Sequence, residues 1–260
     1  MILRKLTVLL AALLLHMAAA EAADVSLHAA DSLRSIGDSF ARTFKRETGL
    51  ELEITYAGDD ALARQLRRNV PADVIVTDNA DWMDHLEDGN AIRGATRRVL
   101  AGNRLALIAR TDDDTAARSL ADLSTHTSQR LLALGDPRRT AVGELARQSL
   151  RELGIWDAIS DRAIQTGSSR AALAFLRRGS AHHAIAYRTD ALAFETLRLV
   201  ELLPEETHDP VRYEAALTFQ GSALNGDNAR ALLDALFNAR TADLLAEAGF
   251  IPCAAGGCGS

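Results

Sequence analysis

The sequence is short of several residue types, and each shortage narrows the range of functions. Its 260 residues include only two cysteines, two tryptophans and three tyrosines, and 35 acidic residues outnumber 29 basic ones. A net charge of −6 without a basic stripe does not suit the phosphate backbone of nucleic acids. After residue 22 no stretch is apolar for long enough to span a bilayer. We therefore expect no nucleic-acid partner and no membrane span in the mature chain.

The common motifs of several enzyme classes are absent as well. The sequence has no Gly-x-Ser-x-Gly, no His-Glu-x-x-His, no Walker loop and no Gly-x-Gly-x-x-Gly. His182 and His183 are adjacent, so their side chains diverge, and we interpret them as a solvated pair rather than a metal site. We predict a binding protein without catalytic residues, protein-held metal or cofactor. A hydrolase that uses scattered acidic residues, or a sensor module, are the alternatives.

The N-terminus has the pattern of a secretory signal peptide. Two basic residues precede an apolar run over 6–17, and alanines stand at the two cleavage-determining positions of 20–22. The run is too short for a membrane span and has no polar face of the kind that a surface helix shows. We predict a signal peptide over residues 1–22, a mature chain starting near Ala23, and a periplasmic location.

The two cysteines stand close together near the C-terminus. Cys253 and Cys258 are separated by Ala-Ala-Gly-Gly. In an oxidising compartment such a pair favours a short-loop disulfide. A metal site is the alternative, but no histidine stands beside them. We predict the disulfide.

Strand and helix patterns alternate along most of the chain. Apolar residues over 33–44 recur at helical spacing and stop at Gly49, whereas those of 50–56 alternate as in a strand. Further strands are predicted at 25–29, 73–77, 105–109, 131–134, 184–187, 197–203 and 211–219, and further helices at 142–153, 171–178 and, as a pair, 229–248. This alternation predicts α/β architecture with parallel strands and helices on the sheet faces.

Four turns that precede predicted helices share a small or hydroxyl-rich character. They are Ala-Asp-Ser (30–32), Gly-Asp-Asp (58–60), Thr-Ala-Val-Gly (140–143) and Gly-Ser-Ser (167–169). In open α/β sheets, ligands bind beyond the carboxyl ends of strands, near helix N-termini. Four helix starts directed at one cleft would offer N–H groups and partial positive charge to an anion. The recurrence of the turns therefore predicts an anion site without a formal counter-charge.

Segments around these turns resemble the periplasmic molybdate-binding proteins, a branch of the two-lobed solute-binding families. The resemblance runs in order through nearly all of the mature chain. The segments include His-Ala-Ala-Asp-Ser-Leu (28–33), Tyr-Ala-Gly-Asp-Asp-Ala-Leu-Ala-Arg-Gln (56–65), Pro-Ala-Asp-Val-Ile-Val-Thr (71–77), Leu-Gly-Asp-Pro (134–137), Arg-Ala-Ala-Leu (170–173) and Ala-Tyr-Arg-Thr-Asp-Ala (186–191).

The resemblance implies a two-lobed periplasmic binding protein fold of type II, each lobe a mainly parallel sheet flanked by helices. Lobe one would comprise 23–103 and 209–260, and lobe two 104–208. The implied function is capture of molybdate, or of tungstate, and its delivery by a monomeric protein to a membrane permease with its ATPase. Carried over by position, the contacts to the oxyanion fall on Ser32, Asp59, the main chain of Val142, Ser169 and the hydroxyl of Tyr187.

One pair of residues departs from the family's pattern. The family has two serines where this chain has Asp59 and Asp60. A carboxylate about 4 Å from a single negative charge disfavours binding by roughly 4 kcal/mol at an effective dielectric near 20, nearly three powers of ten in affinity. Asp59 could point away, could be protonated and donate to the ligand, or the ligand could be another oxyanion or a metal-containing species. Four nearby arginines could compensate, namely Arg138, Arg139, Arg170 and Arg188.

Overall fold

The structure, a computed structural model, describes residues 23–125 and 131–253. The predicted signal peptide lies outside them. The described chain forms one six-stranded and one five-stranded β-sheet, with helices packed on both. We call the six-stranded sheet with its helices lobe one and the five-stranded sheet with its helices lobe two. The predicted two-lobed α/β class is confirmed.

Lobe one contains β1 (Val25–Ala30), β2 (Leu52–Ala57), β3 (Val74–Thr77), β4 (Arg98–Asn103), β10 (Val211–Leu217) and β11 (Ile251–Pro252). The strands lie in the order β11-β4-β10-β3-β1-β2, and β1 pairs in parallel with β2 and β3. β10 runs antiparallel to both of its neighbours, and β11 runs antiparallel to β4. Four of the six strands therefore point the same way.

Lobe two contains β5 (Leu105–Arg110), β6 (Leu132–Gly135), β7 (Ala163–Thr166), β8 (His183–Tyr187) and β9 (Leu197–Leu202). Their order is β7-β6-β8-β5-β9, and β6 pairs in parallel with β7 and β8. β5 runs antiparallel to β8 and β9. Each sheet therefore mixes parallel and antiparallel pairings, although most of its strands point the same way. The reversed strands are β5 in lobe two and β10 and β11 in lobe one, and β5 and β10 are the first strands reached after the chain changes lobe.

The helices follow the strands as the alternation predicts. In lobe one they are α1 (Arg34–Thr48), α2 (Asp59–Arg67), α3 (Ala80–Asp88), α9 (Phe219–Leu224), α10 (Gly226–Leu236) and α11 (Ala239–Glu247). In lobe two they are α4 (Leu120–Thr125), α5 (Ala141–Glu152), α6 (Trp156–Ile159), α7 (Ser169–Arg177) and α8 (Arg188–Leu192). Short 3-10 turns at Asp31–Leu33, Gly94–Thr96, Ser160–Arg162 and Glu205–Thr207 complete the pattern.

Two crossings join the lobes. β4 ends at Asn103 and β5 begins at Leu105, and the return runs over 203–210. The Asn103 Nδ2 atom donates to Thr189 Oγ1 of lobe two (2.8 Å) and to the Tyr213 hydroxyl of lobe one (3.2 Å). One buried amide at the first crossing therefore holds side chains of both lobes.

The apolar core is continuous beneath these crossings. The rings of Tyr187 and Tyr213, one from each lobe, have centroids 6.1 Å apart and belong to one buried cluster that includes residues of both sheets. Separate clusters cover the outer faces, with Leu62 and Ile75 central in lobe one and Leu173 and Ala184 in lobe two. The base of the interlobe gap is thereby packed, which leaves the opposite side open.

Candidate functional site

All four predicted turns converge on one cleft between the lobes. It is lined by Ala30, Asp31, Ser32, Ala57, Gly58, Asp59, Asp78, Thr140, Val142, Gly167, Ser168 and Ser169. Lobe one contributes the residues up to Asp78 and lobe two the rest. Four of the five predicted contact residues, Ser32, Asp59, Val142 and Ser169, are among them, and Tyr187 is not.

The two helix starts of lobe one present main-chain N–H groups to the cleft. The 3-10 turn at Asp31–Leu33 leads directly into α1, and α2 begins at Asp59 with Gly58 as its N-cap. The Gly58 carbonyl accepts hydrogen bonds from the N–H groups of Ala61 and Leu62. The N–H groups of the first helical residues, Asp59 and Asp60, have no partner within the helix, as at any helix start.

The two helix starts of lobe two are capped by side chains. Thr140 Oγ1 accepts from Gly143 N (3.1 Å) at the start of α5, and Ser168 Oγ accepts from Ala171 N (3.1 Å) at the start of α7. These caps orient the first turns and leave the N–H groups of Val142 and Ser169 at the cleft-lining ends. Four helix N-termini, two from each lobe, thus direct partial positive charge into one space.

Ser32 has a buried hydroxyl that belongs to a relay. Its Oγ accepts from the Tyr213 hydroxyl (2.9 Å) and donates to Asp78 Oδ2 (3.2 Å). Tyr213 in turn accepts from Asn103. Sequence reasoning missed all three partners. Asp78 directly follows the buried strand β3, so its position at the carboxyl end of a strand was the available signal.

Tyr187 lies behind the cleft wall rather than in it. Its side chain is fully buried, and its hydroxyl has no hydrogen-bond partner among the described residues. Its main-chain N–H donates to Ser169 Oγ (3.0 Å). Burial, followed by the nearby charges of Asp78, Tyr213 and Asp59, holds the pKa of the Tyr187 phenol well above its usual range. The phenol is therefore neutral, and its contact with a ligand stays a prediction.

Asp59 faces the cleft and meets a second carboxyl. Its side chain is only 4% exposed, and its Oδ1 accepts from the main-chain N–H of Asp78 (3.4 Å). Burial, and then the charge of Asp78, raises the pKa of Asp59 well above its usual range, while burial also raises the pKa of Asp78. Asp59 thus belongs to the lining of the cleft, and its contact with a ligand stays a prediction.

Asp60 points the other way and ties the lobes together. Its Oδ2 accepts from Arg139 Nη2 of lobe two and from Arg64 Nη1 of its own helix, both at 2.7 Å. Burial alone would raise the pKa of Asp60, but the hydrogen bonds from the two arginines outweigh it and lower that pKa. A second link joins Ser168 Oγ to Asp31 Oδ2 (3.3 Å).

Three of the four arginines that could have balanced Asp59 are engaged elsewhere with other groups. Arg139 pairs with Asp60, Arg170 Nη1 with Asp190 (3.3 Å), and Arg188 Nη1 with the Gly249 carbonyl (3.0 Å). Arg138 is largely exposed and lies 3.5 Å from a carboxylate oxygen of Asp136. The cleft therefore offers hydrogen-bond donors and helix N-termini to an anion, rather than the charge of an unpaired arginine.

The other sequence predictions have mixed outcomes. His183 is fully buried, and its Nε2 accepts from Ala117 N (2.7 Å), so its assignment to a solvated pair is wrong because β8 carries it into the core. Across the described ranges, no cluster of three or more His, Cys, Asp or Glu side chains is arranged to hold a metal ion.

Cys253 is disulfide-bonded, and its predicted partner Cys258 lies outside the described residues. In residues 23–125 and 131–253 no helix combines the length and apolarity needed to cross a membrane.

Two lobes that enclose a donor-lined cleft define a solute-binding protein. The chain matches the family model of the bacterial extracellular solute-binding proteins over residues 25–251, and it belongs to that family.

Individual relatives agree with this assignment. The chain is 31% identical to the molybdate-binding protein ModA of Escherichia coli K12 over 90% of its own length and 91% of the relative's. It is 30% identical to ModA of Haemophilus influenzae Rd, covering 82% and 87%. Among solved structures, the periplasmic molybdate-binding protein of Azotobacter vinelandii superposes with a TM-score of 0.76 at 16% identity, over 87% of this chain and 98% of that one.

Proposed function

We propose that this chain captures molybdate, and also tungstate, in the interlobe cleft and delivers it to an ABC permease driven by an ATPase. The proposal includes cleavage of the signal peptide near Ala23 and action as a monomer in the periplasm. Its ligand is a cargo held by the protein's own donors, so no cofactor is required. The relatives named as molybdate-binding proteins support this choice of anion.

The observation that carries the proposal is the convergence of four helix N-termini on one cleft. Main-chain N–H groups at Asp59, Val142 and Ser169 and the Ser32 hydroxyl surround the space from both lobes. Such donors stabilise a desolvated anion without a full positive charge. An anion of the wrong size leaves buried N–H groups unpaired, which disfavours it by about 1–3 kcal/mol for each group.

Isothermal titration calorimetry on the mature protein tests the proposal. Molybdate and tungstate should bind, while sulfate, phosphate and chromate should bind more weakly. Ser32→Ala should weaken molybdate binding by about 10-fold or more, because the Ser32 hydroxyl would turn from Asp78 to the bound anion and a hydrogen bond to a charged group is worth about 1.5–3 kcal/mol. Ser35→Ala is the matched control, since Ser35 is exposed in the first turn of α1, which follows the turn that carries Ser32. If no oxyanion gave a binding signal in the titrations, the proposal would be refuted.

A further inference from the structure

The carboxyl groups of Asp59 and Asp78 form a pair in the wall of the cleft. Asp59 is the first residue of α2, and Asp78 follows the last residue of β3. The Asp78 N–H donates to Asp59 Oδ1 (3.4 Å), so the two residues meet in the lining of the cleft. Ionised carboxylates have only acceptor atoms and repel each other, so two carboxyl groups in one buried wall are stabilised by a proton on one of them.

Within residues 23–125 and 131–253, no cation replaces that proton. The arginines around the cleft each contact another acceptor: Arg34 contacts Asp31, Arg64 and Arg139 contact Asp60, and Arg170 contacts Asp190. The other titratable groups that act on the pair are the phenols of Tyr187 and Tyr213 and the carboxyl of Asp190. None of these brings positive charge, so a shared proton is what allows the two carboxyl groups to lie together.

Hydrogen bonding indicates which carboxyl group holds the proton. Asp78 Oδ2 accepts from the Ser32 hydroxyl (3.2 Å), whose own acceptor position is filled by Tyr213. A donor directed at Asp78 stabilises its ionised form. Asp59, which is almost fully buried, has no such side-chain donor from another residue among the described residues, and burial raises its pKa. The proton therefore resides on Asp59.

We propose that Asp59 and Asp78 form a proton-sharing pair that presents a hydroxyl donor to the bound oxyanion and determines which anions the cleft accepts. The proposal rests on the proposed function and deepens it. The pair occupies the position where the family's serine would donate, and a protonated carboxyl donates in the same way. The cleft then takes a tetrahedral oxyanion together with protons, rather than the anion alone.

Binding should therefore depend on pH. With one proton the pair still carries one negative charge, which repels an entering dianion, and its one hydroxyl donates to the partner carboxylate. A second proton removes that charge and supplies the hydroxyl that donates to the oxyanion, so binding takes up about one proton from solution at neutral pH and above. By linkage, the affinity for molybdate should fall about tenfold for each unit of rising pH, over the range in which binding requires uptake of one proton.

The first experiment needs no ligand. Infrared spectroscopy of the mature wild-type protein at pH 7 should show the C=O stretch of protonated carboxyl groups. Asp59→Asn should remove the contribution of the pair and leave that of Asp190, whose pKa is about 7. The control Asp81→Asn, an exposed residue in the first turn of α3, should retain the band. Absence of an Asp59-dependent band in the wild-type protein would overturn the proposal.

The second experiment measures proton uptake. Calorimetric titration with sodium molybdate in buffers of different ionisation enthalpy, between about pH 6 and 9, should give an uptake of about one proton for the wild type. A double variant with Asp59→Asn and Asp78→Asn keeps donors but has no carboxyl group of the pair to titrate, so it should bind with a flatter pH profile, whereas Asp81→Asn should behave as the wild type. Binding without proton uptake would overturn the proposal. An intact infrared band without binding of any oxyanion would refute the proposed function, while supporting the shared proton.

Discussion

The ion pair between Asp60 and Arg139 spans the cleft, and removing it tests how much closure contributes to affinity. Arg139 Nη2 lies 2.7 Å from Asp60 Oδ2, and the two side chains are 57% and 9% exposed. Because solvent screens the arginine, the pair contributes only modestly. Separating the lobes would break a contact between them, so Arg139→Ala should weaken molybdate binding a few-fold, up to about fivefold.

The assay is calorimetric measurement of Kd for molybdate, with Arg138→Ala as the matched control. Arg138 is the neighbouring residue, its side chain is 80% exposed, and its carboxylate neighbour Asp136 belongs to its own lobe. A double-mutant cycle with Asp60→Asn isolates the interlobe term from the contact of Asp60 with Arg64. An unchanged Kd for Arg139→Ala, or an equal loss for Arg138→Ala, would refute this account of closure.

Three further predictions concern single positions. A Cβ atom on Gly58 would lie 2.8 Å from the Gly167 carbonyl oxygen of the other lobe, whereas one on Gly167 would meet nothing within 4 Å. Gly58→Ala should therefore weaken molybdate binding in calorimetry while Gly167→Ala does not, and equal effects would contradict the close approach of the lobes. Burial raises the pKa of Asp190 to about 7, above the value near 4 of an unfolded chain, so the stability it adds is complete below about pH 4 and lost as pH rises through 7. Urea unfolding should show that the free energy of unfolding of Asp190→Asn rises relative to that of the wild type between about pH 5 and 8. The same pH dependence in both proteins would count against the raised pKa. Asp59→Ser should tighten molybdate binding strongly at pH 8 and little at pH 6, and an equal gain at both values would argue against the shared proton.

Much of the cleft was predictable because helix starts follow local rules. Small and hydroxyl residues at 30–32, 58–60, 140–143 and 167–169 mark strand–helix junctions, and the parallel strands bring those junctions to one edge. Helix ends were also local: α1 stops where Gly49 adopts φ 78°. The hydrogen-bond partners of the side chains were harder to predict, because the Asn103–Tyr213–Ser32–Asp78 relay joins residues up to 181 positions apart.

Three strands escaped prediction, namely β4, β7 and the two-residue β11, which is too short to show a pattern. β4 (Arg98–Asn103) begins with an exposed arginine and ends in small and polar residues, and its pairing with β10 and β11 depends on distant segments. β7 (Ala163–Thr166) is a four-residue edge strand with only partial burial, too short for a period-2 pattern. The direction of the Asp59 side chain could not be predicted from the sequence, because it depends on how the distant residue Asp78 packs against the start of α2.

The amide of Asn103 gives the crossing a mechanical role. It holds a hydroxyl of one lobe and a phenol of the other, and that phenol donates to the serine that lines the cleft. Separating the lobes would break the Asp60–Arg139 and Ser168–Asp31 contacts across the cleft, while the Asn103 bonds lie at the crossing that joins the lobes. Because Tyr213 alone stands between Asn103 and Ser32, a change in the angle between the lobes would be transmitted to a hydroxyl in the cleft lining.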